Sequence, residues 1–293
     1  MTAIILLALK ASIILSVFAI GLKATLADAT FLFRRPGHLV RALLSMNVLM
    51  PLVALALGAP FDLHPAVKIA LVVMSVSPTP PMLPNKALKA GGTDAYTIGL
   101  LVAAAVLSIV VIPLSMAMFE RITGVSLVMD AGAVAALVLT TILAPLLAGI
   151  AVRYIARTSA ERLARPIGLI ATVLLVVSAL PILIGIMRTV YSLTTNGAIL
   201  SFGGFALAGL AIGHLLGGPE PDNRRVLALA TASRHPAVAL AIAHANFPEQ
   251  TLAPAAVFLY LILSGILSAV YLSWVKRQRA GRAPSDAGTA LEA

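Results

Sequence analysis

Ser75-Val76-Ser77-Pro78-Thr79-Pro80-Pro81-Met82-Leu83-Pro84-Asn85 interrupts a long apolar run. Thr231-Ala232-Ser233-Arg234-His235-Pro236 interrupts another. Each would otherwise read as part of a membrane helix. Proline deletes a backbone donor and clashes with the preceding turn, so the helix stops. Lipid tolerates such unpaired backbone only where protein or a water-filled cavity covers it. Two breaks at comparable places in the two chain halves point to a transporter's binding centre.

Composition agrees with a bilayer as solvent. Of 293 residues, 60% are hydrophobic and 11% charged, against about 25% charged in ordinary soluble domains. Cysteine is absent, which excludes disulfides and thiolate metal sites. A helix crossing about 30 Å of hydrocarbon needs roughly 20 apolar residues. About nine such spans are expected, near 3–26, 38–58, 65–91, 94–119, 131–155, 166–188, 196–216, 222–247 and 251–275. The period-two alternation of a membrane barrel is missing. The fold class is therefore an all-α multi-pass membrane protein. Residues 1–279 form the transmembrane domain, and 280–293 read as a disordered cytoplasmic tail. The run at 1–26 is long and no basic segment precedes it, so it reads as a span and not as a cleaved signal.

The net charge of +10 is a topology signal. Lys23, Arg34, Arg35, Arg41, Lys86, Lys89, Arg153, Arg157, Arg162, Arg165, Arg224, Arg225 and the basic tail fall in alternate connections. The opposite connections hold only Lys68, Arg121 and Arg188. The excess marks the cytoplasmic side, with the amino terminus outside and the carboxyl terminus inside an inner (plasma) membrane. Nucleic-acid binding is not needed to explain the charge.

Ser75-x-x-Pro78 and Ser233-x-x-Pro236 share a spacing, and a long uninterrupted span follows each. By span parity the two broken segments run in opposite senses. That is the geometry of an inverted repeat, with repeat one at about 1–120 and repeat two at about 131–275. Candidate substrate-binding groups are Arg234, His235, Ser233, Thr231, Asn85, Ser77, Thr79 and Asn47, with Pro78, Pro80, Pro81, Pro84 and Pro236 making the breaks. Arg234 is placed deep in the membrane, where a guanidinium is costly. The acidic residues map to connections, span ends or the tail. Either Arg234 faces a cavity and binds an anion, or it snorkels or caps half-helix carbonyls. His235 either carries a proton or stays neutral and hydrogen-bonded. Asn47 either lines the site or bonds another helix. Lys10 snorkels outward, and Thr97 and Ser108 serve packing. No H-E-x-x-H and no mid-membrane carboxylate pair support an enzyme. Gly209-x-x-x-Gly213 packs a helix against another copy or within the chain, so oligomeric state stays open. A sensor or scaffold using the same fold is the non-transporting alternative.

At these residues the chain resembles the bile acid:sodium symporter family. Arg34-Arg35-Pro36 followed by Asn47-Val48-Leu49-Met50-Pro51 is similar to its basic loop and Met-Pro helix. Pro78 to Gly92 resembles its first discontinuous helix, and Thr231 to Phe247 its second. The resemblance implies core and panel domains, two crossed discontinuous helices, elevator-like alternating access and an organic anion as substrate. Members that use sodium place an acid just before the second break and a Gln four residues later. Those positions hold Ala230 and Arg234 here. Asn85 and Thr97 match neutral sodium ligands only. The expectation is a secondary organic-anion transporter without cofactor, sodium-independent, with Arg234 as a built-in cation. The alternative is a sodium-coupled symporter.

Overall fold

The computed structural model describes residues 2–60, 62–81, 83–84, 87, 91–124, 130–194 and 197–280. Among them every regular element is helical. The helices are α1 (Thr2–Gly21), α2 (Leu26–Ala29), α3 (Pro36–Gly58), α4 (Pro65–Val76), α5 (Asp94–Thr123), α6 (Ala131–Ile155), α7 (Arg157–Ser192), α8 (Ala198–Leu216), α9 (Pro221–Ala232), α10 (Pro236–Asn246) and α11 (Ala253–Ala280). Asn85, Lys86, Lys89 and residues 281–293 lie outside the described residues.

Among the described residues seven spans are long and apolar enough to cross a membrane: α3, α5, α6, α7, α8, α9–α10 together, and α11. Two further apolar helices are shorter, Leu7–Gly21 and Pro65–Val76. The expected span near 166–188 begins earlier, at Arg157. Its first turns are polar and pass Pro166 without stopping.

Helix starts follow side-chain chemistry. Proline opens α3, α4, α9 and α10, where its missing donor costs no intrahelical bond. Thr93 and Asp130 accept the amides of Tyr96 and Ala133 at the starts of α5 and α6, capping donors that the first turn leaves free. Gly124, at φ +72°, ends α5 in the left-handed conformation.

Two helices contain a widened π-turn, Leu44–Leu49 in α3 and Leu139–Leu143 in α6. Each comes just before a proline, Pro51 or Pro145. The ring of Pro51 crowds the carbonyl one turn back, and the turn before it relaxes outward. In the π register the carbonyl of residue i is answered by the amide of i+5. For Met46 that residue is Pro51, which has no N–H. The Met46 carbonyl therefore faces its neighbours without a helical partner.

Packing gathers α1, α6 and α7 on one side. Gly21 and Gly149 meet there so closely that a Cβ on Gly149 would lie 2.7 Å from the Gly21 Cα. On the other side α8 packs on α9 and α11, and α4 on α3, α10 and α11. Gly209 and Gly213 of α8 lie directly on the backbone of α9 at Ala232 and at Leu227–Ala228. The small-residue spacing is thus used within the chain. Without a hydrophobic force between helices in lipid, such close backbone approach supplies much of the association energy. The outer face of α7 exposes Leu169, Ile170, Val173, Val177 and Ile184, a continuous apolar surface of the kind lipid covers.

Candidate functional site

Both breaks are main-chain structures dictated by proline. A residue before proline is driven out of the helical region into the extended one. Ser77 precedes Pro78 and has φ −69°, ψ 144°; it ends α4. His235 precedes Pro236 and has φ −80°, ψ 105°, while Ser233 ends α9 at φ −99°, ψ 130°. Pro236 then opens α10. The two extended stretches touch. The His235 amide donates to the Pro78 carbonyl at 2.9 Å.

Arg234 joins them. Its side chain is 1% exposed. One terminal nitrogen donates to the Ser77 carbonyl at 3.1 Å. The other donates to the Met46 carbonyl at 3.1 Å. These are acceptors that local chemistry leaves over: the carboxyl end of α4 and the π-turn of α3. Among the described residues no carboxylate lies within salt-bridge distance of Arg234. The compensation comes from dipoles. A helix carboxyl end carries about half a negative charge. Arg234 binds the end of α4 and follows the end of α9 by two residues. Two helix ends and two charge-assisted hydrogen bonds, worth about 1.5–3 kcal/mol each, offset the burial of one guanidinium, which costs several kcal/mol. The group is a fixed cation in a nest of carbonyls.

The surrounding hydroxyls divide into two sets. Several are used up by the fold. Ser75 and Ser77 donate to the carbonyls of Val72 and Met74. Thr231 donates to Leu227 and meets Ser45 of α3 across the helix interface. Tyr260 of α11 donates to the Ala232 carbonyl at 2.5 Å, closing the end of α9. The second set is buried and without a protein partner: Thr79 Oγ1, Arg234 Nε and both ring nitrogens of His235; Thr97 Oγ1, also unbonded, lies beside Gly92. Ser233 is buried beside them. Pro78, Pro81 and Pro84 are buried, and Pro80 and Pro236 half-buried.

Other expected residues lie apart. Asn47 follows Met46 in the π-turn, but it lines a small apolar depression with Leu32, Leu100 and Leu107. Ser108 donates to the Ala105 carbonyl within its own helix. His214, which is not among the candidate residues, bonds Tyr271 Oη at 2.7 Å and packs edge-on to Trp274. Ala230, at the position where the resemblance puts an acid, is wholly buried in apolar surroundings. Sequence reasoning missed Met46, Ser45 and Tyr260. Met50-Pro51 was the available signal for the first, because a proline late in a span frees a carbonyl about one turn earlier.

No curated protein matches the chain. The family model described as Sodium Bile acid symporter family matches residues 11–187. That is more than half of the chain and holds the first break, though not the second. With its apolar helices and paired breaks, the chain belongs to the sodium bile acid symporter family of membrane transporters.

Proposed function

We propose that the chain is a secondary transporter that moves a small or amphipathic organic anion by alternating access, without sodium. The break at Ser77 and Pro78, which follows α4, and the break from Ser233 to Pro236, which follows α9, form the transport centre as the crossed members of an inverted repeat. A panel of α1, α6 and α7 and a core of α3–α5 and α8–α11 move against each other; the close packing of α1 on α6 and α7 supports this division, and the contacts of α5 with α6 and of α7 with α11 form its boundary. The protein lies in the inner membrane with its carboxyl terminus cytoplasmic, as the basic connections suggest.

One observation carries the sodium-independent reading. The Arg234 guanidinium is buried, with its two terminal nitrogens on the Ser77 and Met46 carbonyls. Sodium is a hard cation that takes oxygen ligands. Here the Ser77 carbonyl at the first break and the Met46 carbonyl of α3 are engaged by a cation that belongs to the chain. Ala230 supplies no carboxylate, and a guanidinium repels an incoming ion. Among the described residues, those at this point do not fit a sodium cage; Asn85 lies outside them. The same fixed charge favours an anion nearby. Thr79 Oγ1, Arg234 Nε and the His235 ring offer polar atoms that the fold leaves unbonded. Arg234 then acts chiefly as a resident cation that completes the site in every cycle.

The test is organic-anion uptake by proteoliposomes under a sodium gradient and under an equal choline gradient. Equal rates are expected. Strong sodium dependence would refute the proposal and favour the sodium-coupled alternative that the family description suggests.

A further inference from the structure

The chain has a second cluster of cations, away from the breaks. Arg34, Arg35, His38 and Arg41 line a surface depression of about 490 Å³, closed on its far side by Pro219 and Glu220. The walls come from distant parts of the sequence: the amino end of α3 and the loop that leads into α9. The loop is shaped for this approach. Gly218 has φ +91°, and a Cβ there would lie 2.7 Å from an Arg41 terminal nitrogen. The positive φ favours glycine there, and its bare Cα lets the Arg41 fork lie against the loop.

The charges do not cancel. Three guanidiniums face one carboxylate. Glu220 is already engaged by Asn223 at 2.7 Å and stands 3.9 Å from the His38 ring. Among the described residues neither Arg34, Arg35 nor Arg41 forms an ion pair. Arg35 stacks over Phe31, 5.1 Å from the ring centroid, which orients its fork. His38 Nδ1 is buried without a hydrogen-bond partner. Simple topology determinants need no such convergence. Arg162 and Arg165, on an exposed stretch of α7, show what an ordinary basic connection looks like.

We propose that this depression binds a phosphate-class oxyanion, mono- or diester, through Arg34 and Arg35 with His38 and Arg41 behind them. Paired guanidiniums suit phosphate because planar N–H forks match its oxygens. Phe33, Val40 and Leu44 beside the depression are exposed and apolar, so a phosphate there can belong to a lipid headgroup whose chains lie along α3. A free phosphate compound offers the same chemistry. The position has a consequence for the breaks. The depression grips the ends of α3 and α9, and these helices run inward to Met46 and Arg234. An oxyanion bound here offsets the repulsion among Arg34, Arg35 and Arg41 at the outer end of α3, the helix whose Met46 carbonyl Arg234 binds further in.

The experiment is thermal unfolding of the full chain purified in detergent, at constant ionic strength. One arm titrates phosphatidylglycerol against phosphatidylcholine into the micelles. The other titrates inorganic pyrophosphate against chloride. Stabilisation in the first arm alone assigns a lipid headgroup, and in the second, with or without the first, a soluble phosphate. In either case the apparent affinity falls at least tenfold in R34Q/R35Q and is unchanged in R162Q/R165Q. Should the double variant fail to fold, Arg35→Gln alone carries the same expectation at about threefold. The proposal is overturned if neither probe stabilises the wild type, or if R162Q/R165Q loses as much affinity as R34Q/R35Q. Both readouts are binding, so the result stands apart from transport and from its sodium dependence.

Discussion

Replacing Arg234 by lysine is expected to destabilise the protein more than replacing it by glutamine. The guanidinium reaches two carbonyls on different elements with two different nitrogens, each at 3.1 Å. Lysine keeps the buried charge and its solvation cost, but one ammonium cannot occupy both nitrogen positions. One charge-assisted bond is lost, about 2 kcal/mol, and one buried carbonyl is left over. Glutamine also leaves a carbonyl unanswered, at about 1–3 kcal/mol. It removes the charge as well, and with it a burial cost of several kcal/mol. The net loss for Arg234→Gln is therefore about 1 kcal/mol or less. The glutamine variant also frees oxygen ligands that sodium can use. At sodium five times its Kd, binding returns about 1 kcal/mol. The assay is thermal unfolding of detergent-purified protein in sodium chloride and in choline chloride. The expected order in choline is wild type, then Arg234→Gln, then Arg234→Lys, with about 3 °C in Tm per kcal/mol. Only Arg234→Gln rises in sodium. A lysine variant as stable as wild type, beside a glutamine variant that collapses, would show that charge alone holds the site and would refute the fork argument.

Gly213→Ala brings a Cβ to 2.5 Å from the Leu227 carbonyl, about 0.8 Å inside normal C···O contact; a stability loss of about 1–3 kcal/mol is expected in the same unfolding assay. Tyr260→Phe leaves the Ala232 carbonyl open at the end of α9, costing about 1–2 kcal/mol, and uptake slows because that helix end sits beside Arg234. Ser45→Ala and Thr231→Ala, measured singly and together, should couple by about 0.5–1.5 kcal/mol in a double-mutant cycle; strict additivity would mean that their hydroxyls do not bond.

Much of the fold was legible because proline writes its own position. Pro36, Pro65, Pro221 and Pro236 each open a helix, and Ser77 and His235 are extended because a proline follows. The burial of Arg234, and its want of an acidic mate among the described residues, were also readable from the spacing of charges. Its bonding was not. Carbonyl acceptors belong to every residue type, so nothing in the letters at Met46 or Ser77 marks them as partners. Only the three-dimensional meeting of a π-turn with a helix end selects them. Asn47 lines a depression with Leu100 and Leu107 although its neighbour's carbonyl serves the site. A widened turn changes which residue faces inward, and sequence periodicity does not report it. The convergence of Arg34, Arg35 and Arg41 with the Pro219–Glu220 loop was hidden for a related reason: charge counts give a side of the membrane and not a shape.

Gly209, Gly213 and Gly217 meet Ala232, Ala228 and Arg224 like three teeth of a zip. Contacts this tight do not slide. Any stroke that displaces Arg234 must haul α8 with it. The outward residues of α8, among them Leu200, Leu207 and Leu215, are then dragged through the surrounding oil. Turnover should accordingly respond to acyl-chain length and fluidity, so the membrane itself becomes part of the machine's friction.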